Sequence, residues 1–149
     1  MKLLVEQVPN LDDIHVLIRY VERDQALGRL LAAIKGLGEK IQAHDESKTV
    51  MLDILDIYYF ESVDKQTFAY CYHDVYRVGD RLYQVKERLE RFGFVQVSKS
   101  CLLNVNMLET VRNVVNSKME AELSNGEKIS ISRKYIPQLK AAIKRRAEA

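Results

Sequence analysis

The feature that most limits the fold of this chain is a succession of short β-type segments with polar turns between residues 39 and 132. The most informative stretch, residues 92–106, reads FGFVQVSKSCLLNVN. Apolar side chains on both sides of Ser98-Lys99-Ser100 predict two packed strands with a rigidly held loop or bulge between them. Several short strands at close spacing indicate a core of small antiparallel sheets.

The same patterns place the other strands and the helices. An Asn125-Gly126 pair between two β-rich segments predicts a hairpin. Asp24 and Asp80 are candidate helix caps, each followed by apolar residues at helical spacing and then by glycine. We predict strands at residues 2–8, 14–21, 40–44, 48–52, 54–61, 67–72, 75–78, 107–113, 119–123 and 128–132, and helices that begin after Asp24, after Asp80 and at Tyr135. The predicted fold class is mainly β with short helices (α+β), preceded by a β-β-α extension with a turn at Pro9-Asn10.

Composition limits the class of protein. The chain has 149 residues and no apolar run near the roughly 18 residues that cross a bilayer, and its first residues lack the long apolar region of a signal peptide. The two cysteines, Cys71 and Cys101, lie inside strand-like segments rather than at the spacings of a disulfide framework. These observations predict a reduced, cytoplasmic protein.

Charge is distributed unevenly along the chain. Residues 1–64 hold seven Lys/Arg against twelve Asp/Glu, whereas residues 65–149 hold sixteen against nine. Residues 128–146 carry seven basic side chains and no acidic one. This asymmetry favours a polyanion partner for the later part of the chain. Basic terminal helices are often only solvated faces, so charge alone leaves both interpretations open.

Catalytic and metal-binding patterns are weak. Cys71 and His73 would share one face of a strand, but no Cys-x-x-Cys or His-x-x-x-His pattern supports a metal site. Asp53 and Asp56 are more typical of strand ends than of acid–base catalysis. The eight tyrosines can stack on single-stranded bases or simply pack on a sheet, and packing is commoner at strand spacing. We predict no enzyme activity, no cofactor, no metal and no small-molecule substrate.

Three segments, taken in order, carry a family resemblance. They read DIYYFESVDKQTF, VKERLERFGFVQVSKSCLLNVNMLETV and LSNGEKISISRKYIPQL. Together they resemble the LytTR family of bacterial DNA-binding domains over about residues 42–146. The resemblance implies a β fold of three small sheets with short helices. It also implies that loops, rather than a recognition helix, enter successive major grooves of duplex DNA.

The resemblance also implies which residues contact DNA. Arg133 would be the base reader nearest a guanine, with Lys134 beside it. Family members often carry a histidine in the second loop, where this chain has Ser98 and Lys99, and the first loop also lacks a histidine and offers Thr67, so base preference does not transfer. Lys99 can read guanine or neutralise a phosphate, and both roles stay open. The implied DNA-binding residues are Lys65, Thr67, Ser98, Lys99, Ser100, Arg133 and Lys134.

The first 41 residues form a separate predicted unit. They are too few for a phosphorylated receiver domain, so we do not expect aspartyl phosphorylation within this chain. We divide the chain into an N-terminal extension, residues 1–41, and a DNA-binding domain, residues 42–149. The extension would mediate a homodimer on promoter repeats, contact an inhibitory membrane protein, or add a layer to the domain's own core. The leading interpretation is a sequence-specific regulator of transcription, and the alternative is a regulatory protein-interaction module that acts through the extension.

Overall fold

Two antiparallel sheets dominate the computed structural model, which describes the backbone of residues 1–148 and the side chains of residues 1–146. The larger sheet has seven strands in the order β2-β1-β5-β4-β3-β7-β6, and the smaller has three in the order β10-β9-β8. The strands are β1 (Lys40–Asp45), β2 (Lys48–Asp53), β3 (Tyr59–Val63), β4 (Gln66–Tyr70), β5 (Val75–Val78), β6 (Phe94–Ser98), β7 (Cys101–Asn104), β8 (Leu108–Val114), β9 (Lys118–Leu123) and β10 (Lys128–Ile131).

The strand β7 holds the two halves of the core together. All four of its residues are buried, and its side chains alternate between the two faces of the large sheet. Cys101 and Leu103 pack in a core that β8, β9, β10 and the C-terminal helix cover. Leu102 packs on the other face, in a core that the middle helix and β1 cover. This two-sided burial explains why residues 101–104 read as a continuous apolar run.

Three helices pack around the sheets: α1 (Gln25–Gly36), α2 (Leu82–Leu89) and α3 (Ile136–Glu148). Asp24 caps α1 as predicted, because its carboxylate accepts a hydrogen bond from the Leu27 N–H at 2.9 Å. The predicted cap of α2 is wrong by one residue. Gln84 accepts from the Arg81 N–H at 2.8 Å, while the Asp80 carboxylate accepts from the Arg88 guanidinium at 3.1 Å. Within residues 1–148, no helix is long and apolar enough to cross a membrane.

The prediction of strands in the N-terminal extension is wrong. Residues 2–8 and 14–21 form no strand, although the turn at Pro9-Asn10 is present and Asn10 has a φ of +69°. Their apolar side chains lie largely exposed, for example Leu4 at 81% and Ile14 at 87%. Alternating apolar residues form a stable strand only where a partner strand and a buried face exist, and an isolated two-stranded hairpin is marginal in water.

Two further differences concern the start of the large sheet. Residues Ile54–Asp56, predicted as part of a strand, form one turn of 3₁₀ helix because the Asp53 carboxylate accepts from the Leu55 N–H at 3.0 Å. The family resemblance implied three small sheets, but the described residues form two. The β1–β2 hairpin joins the larger sheet through a single residue pair, His44 with Arg77.

Candidate nucleic-acid interface

The first of the predicted contact loops is a two-residue hairpin turn, Asp64-Lys65, between β3 and β4. Both residues have positive φ, at 50° and 65°, as a type I′ turn requires. Glycine or asparagine is usual at such positions, and a lysine there costs roughly 1–2 kcal/mol of backbone strain. The turn therefore holds the exposed Lys65 side chain at the tip of the sheet at some cost in stability.

The second loop is the tight turn Lys99-Ser100 between β6 and β7. Ser98 pairs with Cys101 across this turn, and a bulge lies between Gln96 and Ser98. The Ser98 hydroxyl accepts from the Ser100 N–H at 3.3 Å, and the Gln96 amide donates to the Lys99 carbonyl at 3.4 Å. The predicted loop held between packed strands is confirmed, and the side chain of Lys99 is exposed.

Two backbone hydrogen bonds bring the three predicted contact regions to one side of the molecule. The Ser62 N–H donates to the Ser100 carbonyl at 2.8 Å, which joins the end of β3 to the second turn. The Ser132 N–H donates to the Val97 carbonyl at 2.9 Å, which holds the residue before Arg133 against the end of β6. Arg133 and Lys134 follow in a short 3₁₀ turn and are exposed. Lys65, Lys99 and Arg133 therefore belong to three adjacent segments rather than to different sides of the fold.

A basic groove of about 490 Å³ lies between the first two turns and the start of α2. Four of its lining residues are cationic, and no lining residue is acidic, all of them within the described part of the chain. Four cations around one groove with no carboxylate among its walls create a strongly positive potential, and low-dielectric walls focus it. The residues that line this basic groove are Lys65, Lys99, Arg81, Lys86, Ser62, Gln96, Tyr83, Leu82 and Leu102.

Comparison with known proteins identifies the family. A family model described as the LytTr DNA-binding domain matches residues 47–144. This chain belongs to the LytTR family. The LytTR region therefore contains both turns, the start of α2 and the segment of Arg133.

Relatives and a solved structure agree with this assignment. The chain is 24% identical over 136 residues to a sensory transduction protein LytT of Bacillus cereus, covering 88% of this chain and 55% of that protein. It is 28% identical over 91 residues to LytT of Bacillus subtilis, covering 61% of this chain and 38% of that protein. The chain thus spans about half the length, or less, of these relatives. A solved LytTr DNA-binding domain from Bacillus cereus has the same fold, with a TM-score of 0.65 and 17% identity, covering 70% of this chain and 95% of that one.

The start of α2 supplies groove residues that the sequence patterns missed. Lys86 lies on the charged side of α2, which the sequence alone would leave as a solvated face, yet it is partly buried and lines the basic groove together with Arg81. A signal was present, because Lys86 lies one helical turn after Leu82, at the edge of the apolar stripe that packs on the sheet. What the sequence did not reveal is that the start of α2 lies beside the tips of β3 and β6.

Thr67 does not lie on the exposed face. It pairs with Ser62 and Val78 inside the sheet, its side chain is only 2% exposed, and its Oγ1 has no hydrogen-bond partner among the described residues. A side chain this buried does not reach a DNA backbone outside the sheet. We therefore leave Thr67 out of the interface that is proposed below.

The structure also bears on the alternative chemistries. Tyr59 and Tyr70 stack on each other with ring centroids 4.4 Å apart, so they pack within the fold of this LytTR domain. Burial, followed by a hydrogen bond with Glu127, raises the pKa of Tyr59. Burial raises the pKa of the Cys101 thiol to about 12, which keeps it protonated and a poor nucleophile at neutral pH. Among the described residues, no group of three His, Cys, Asp or Glu side chains is arranged to hold a metal ion.

Proposed function

We propose that this chain is a transcriptional regulator that binds duplex DNA sequence-specifically through the face formed by its two hairpin turns and the Arg133 segment. Membership in a family of DNA-binding domains supports the general role. Two observations support the finer proposal: the acid-free basic groove between Lys65 and Lys99, and the backbone bond that holds Ser132, next to Arg133, against the end of β6. In this proposal the groove cations neutralise phosphates, which sets affinity and register. Ser98, Ser100, Arg133 and Lys134 supply contacts to base edges in the major groove, and Lys99 neutralises a phosphate with the other groove cations.

Base reading is tested by measuring how Arg133→Ala binds one selected duplex. This duplex carries the sequence that is enriched among the genomic fragments that the protein retains. We expect a loss of about 1–3 kcal/mol on the selected duplex and a relaxed preference at one base position, as for a lost arginine–guanine contact. Affinities are measured by fluorescence anisotropy on the selected duplex and on single-base variants of it.

Lys144→Ala is the matched control, because Lys144 is an exposed cation of α3 outside the basic groove. It should change binding about equally on all duplexes, as a residue that acts only through phosphates would. Equal losses for Arg133→Ala on selected and scrambled duplexes would reject a base-reading role for Arg133.

We also propose the division into an extension, residues 1–41, and a DNA-binding domain, residues 42–149, with the extension forming a homodimer or binding an inhibitory membrane protein. The supporting observation is a concentration of exposed apolar side chains in the first 21 residues, such as Leu3 at 80% and Leu17 at 77%. Contiguous exposed apolar surface marks interaction sites. A truncation that removes residues 1–22 keeps the Asp24 cap and α1. We expect the full chain to sediment as a dimer and the truncated chain as a monomer, and an unchanged mass would reject the dimer role.

A further inference from the structure

A second cavity, of about 470 Å³, lies on a different part of the molecule, between α1, α3 and the turn that follows α2. This volume is within the range of pockets that bind small organic molecules. The cavity is lined by Gly28, Ala32 and Lys35 of α1, by the segment Glu90, Arg91, Phe92, Gly93 and Phe94, by Val105 and Asn106, and by Ala142, Arg145 and Arg146 of α3.

The inner wall of this helix cavity is apolar and firmly packed. Phe94 and Val105 are 3% and 1% exposed, so they belong to the packed core, and Phe92 and Ala32 are the partly exposed apolar residues of the wall. Small side chains at Ala32 and Ala142 leave the space open between the two helices. The helices cross closely beside it, because a Cβ on Gly28 would lie only 2.7 Å from the Arg146 carbonyl oxygen. The cavity is therefore an open cleft between well-packed elements.

The rim of the helix cavity is cationic. Lys35, Arg91, Arg145 and Arg146 face a single acid, Glu90, among the lining residues. Within residues 1–146, neither Lys35 nor Arg145 forms an ion pair. Burial, together with the nearby Arg29 guanidinium, lowers the pKa of Arg146. An anion placed at this rim would offset the repulsion among these groups.

We propose that the helix cavity binds a small organic anion with an apolar body, of the alkyl or aryl carboxylate class. The apolar body would lie against Phe92 and Ala32, and the carboxylate would lie at the rim formed by Lys35, Arg145 and Arg146. Charge complementarity selects an anion, and the partly exposed apolar wall at Phe92 selects one with an apolar part. Because the ligand would contact both α1 and α3, it would tie the N-terminal helix to the LytTR domain.

The helix cavity is separate from the DNA-binding face. Phe94 begins β6, whereas the Lys99-Ser100 turn follows the last residue of that strand, Ser98. Four residue steps along a strand span about 13 Å. None of the residues that line the helix cavity lines the basic groove. Binding at the helix cavity is therefore testable without DNA.

The test is a titration of the isotope-labelled full chain with octanoate, followed by backbone amide NMR shifts. We expect saturable shifts of the Gly28, Gly93 and Asn106 amides, and an affinity at least ten-fold higher for octanoate than for 1-octanol or inorganic phosphate. Equal affinity for phosphate would show that only charge is recognised, and equal affinity for octanol would show that charge is not used. Either result, or shifts that map to other residues, would overturn the proposal.

Variants locate the site. Ala32→Leu should fill the cavity and lower octanoate affinity at least ten-fold, whereas Ala33→Leu, at an exposed position of the same helix, should leave it unchanged. If Ala32→Leu does not fold, Arg145→Ala carries the test, with an expected loss of roughly two- to five-fold for an exposed ion pair. Its control is Lys140→Ala, an exposed cation of α3 outside the cavity. Equal losses in a variant and its control would reject the assigned site.

Discussion

Thr67→Val separates what the family pattern implies from what the structure shows. The pattern implies that Thr67 contacts DNA, but its side chain is buried and its hydroxyl has no hydrogen-bond partner among the described residues. Valine has nearly the same shape as threonine and the same branching at Cβ, so the backbone of β4 is not disturbed. The substitution replaces an unsatisfied polar group by a methyl group in a packed site.

The expected magnitude follows from the desolvation of that hydroxyl. A buried polar group without a partner costs about 1–3 kcal/mol, so Thr67→Val should raise the free energy of unfolding by about that amount. For a chain of this size, each kcal/mol corresponds to a rise of about 2–4 °C in the melting temperature. DNA affinity should stay within about two-fold of the parent, because no surface group changes.

Urea unfolding and anisotropy titrations measure the two quantities on the same samples. Thr49→Val is the matched control, since Thr49 is an exposed residue of β2 and its substitution should change stability by less than about 0.5 kcal/mol. A loss of stability in Thr67→Val would mean that the hydroxyl is satisfied in solution. A selective loss of DNA binding without a change in stability would refute the buried placement and favour the contact that the family pattern implies.

Three further substitutions test the packing and the turns. Gly28→Ala should lose about 1 kcal/mol of stability, because the clash of the new Cβ with the Arg146 carbonyl outweighs the helix propensity of alanine. Gly36→Ala should lose less, because the closest atom to its Cβ is the Cδ2 at the end of the flexible Leu55 side chain, and urea unfolding distinguishes the two variants. Asn104→Ala should lower the free energy of unfolding by about 2 kcal/mol or more in the same assay. The substitution removes the 2.8 Å hydrogen bond to the Ile57 carbonyl and the 3.0 Å hydrogen bond from the Asn106 N–H. A near-neutral result would contradict both bonds. Lys65→Gly should raise the free energy of unfolding by about 1 kcal/mol, because glycine adopts the positive φ of this turn without strain. It should also weaken DNA binding, because it removes a cation of the basic groove. A fall in stability would reject the strained turn.

Local patterns predicted much of the fold. The two strands around Ser98-Lys99-Ser100, the Asp24 cap and the Asn125-Gly126 hairpin are encoded by neighbouring residues, and the structure confirms each of them. Such features depend on alternation, capping and turn chemistry within a few residues. The N-terminal strands were predicted wrongly for the same reason. Their alternation is local, whereas a strand also needs a partner that the sequence does not reveal.

The candidate site was only partly predictable. Lys65, Lys99 and Arg133 belong to adjacent segments because of two long-range backbone bonds, and no local pattern encodes either of them. The family pattern supplied that expectation. Thr67 shows the limit of the family pattern, because only the tertiary structure reveals that its side chain is buried. The position of Lys86 in the basic groove also depends on tertiary contacts that no local pattern encodes.

The most direct measurement of the central claim is the salt dependence of binding to a random duplex. For each phosphate contact that is lost, the slope of log K against log salt should become shallower by about 0.9. The double variant Lys65→Ala/Lys99→Ala should therefore reduce the slope by about 1.8. The control Lys40→Ala/Lys48→Ala removes the same charge from the β1–β2 hairpin, and β2 lies about 19 Å from β3 across the sheet.

The account predicts a clearly shallower slope for the groove variant and an unchanged slope for the hairpin control. Equal slopes for the two variants would mean that the basic groove does not contact the DNA backbone, and the proposed interface would then be wrong.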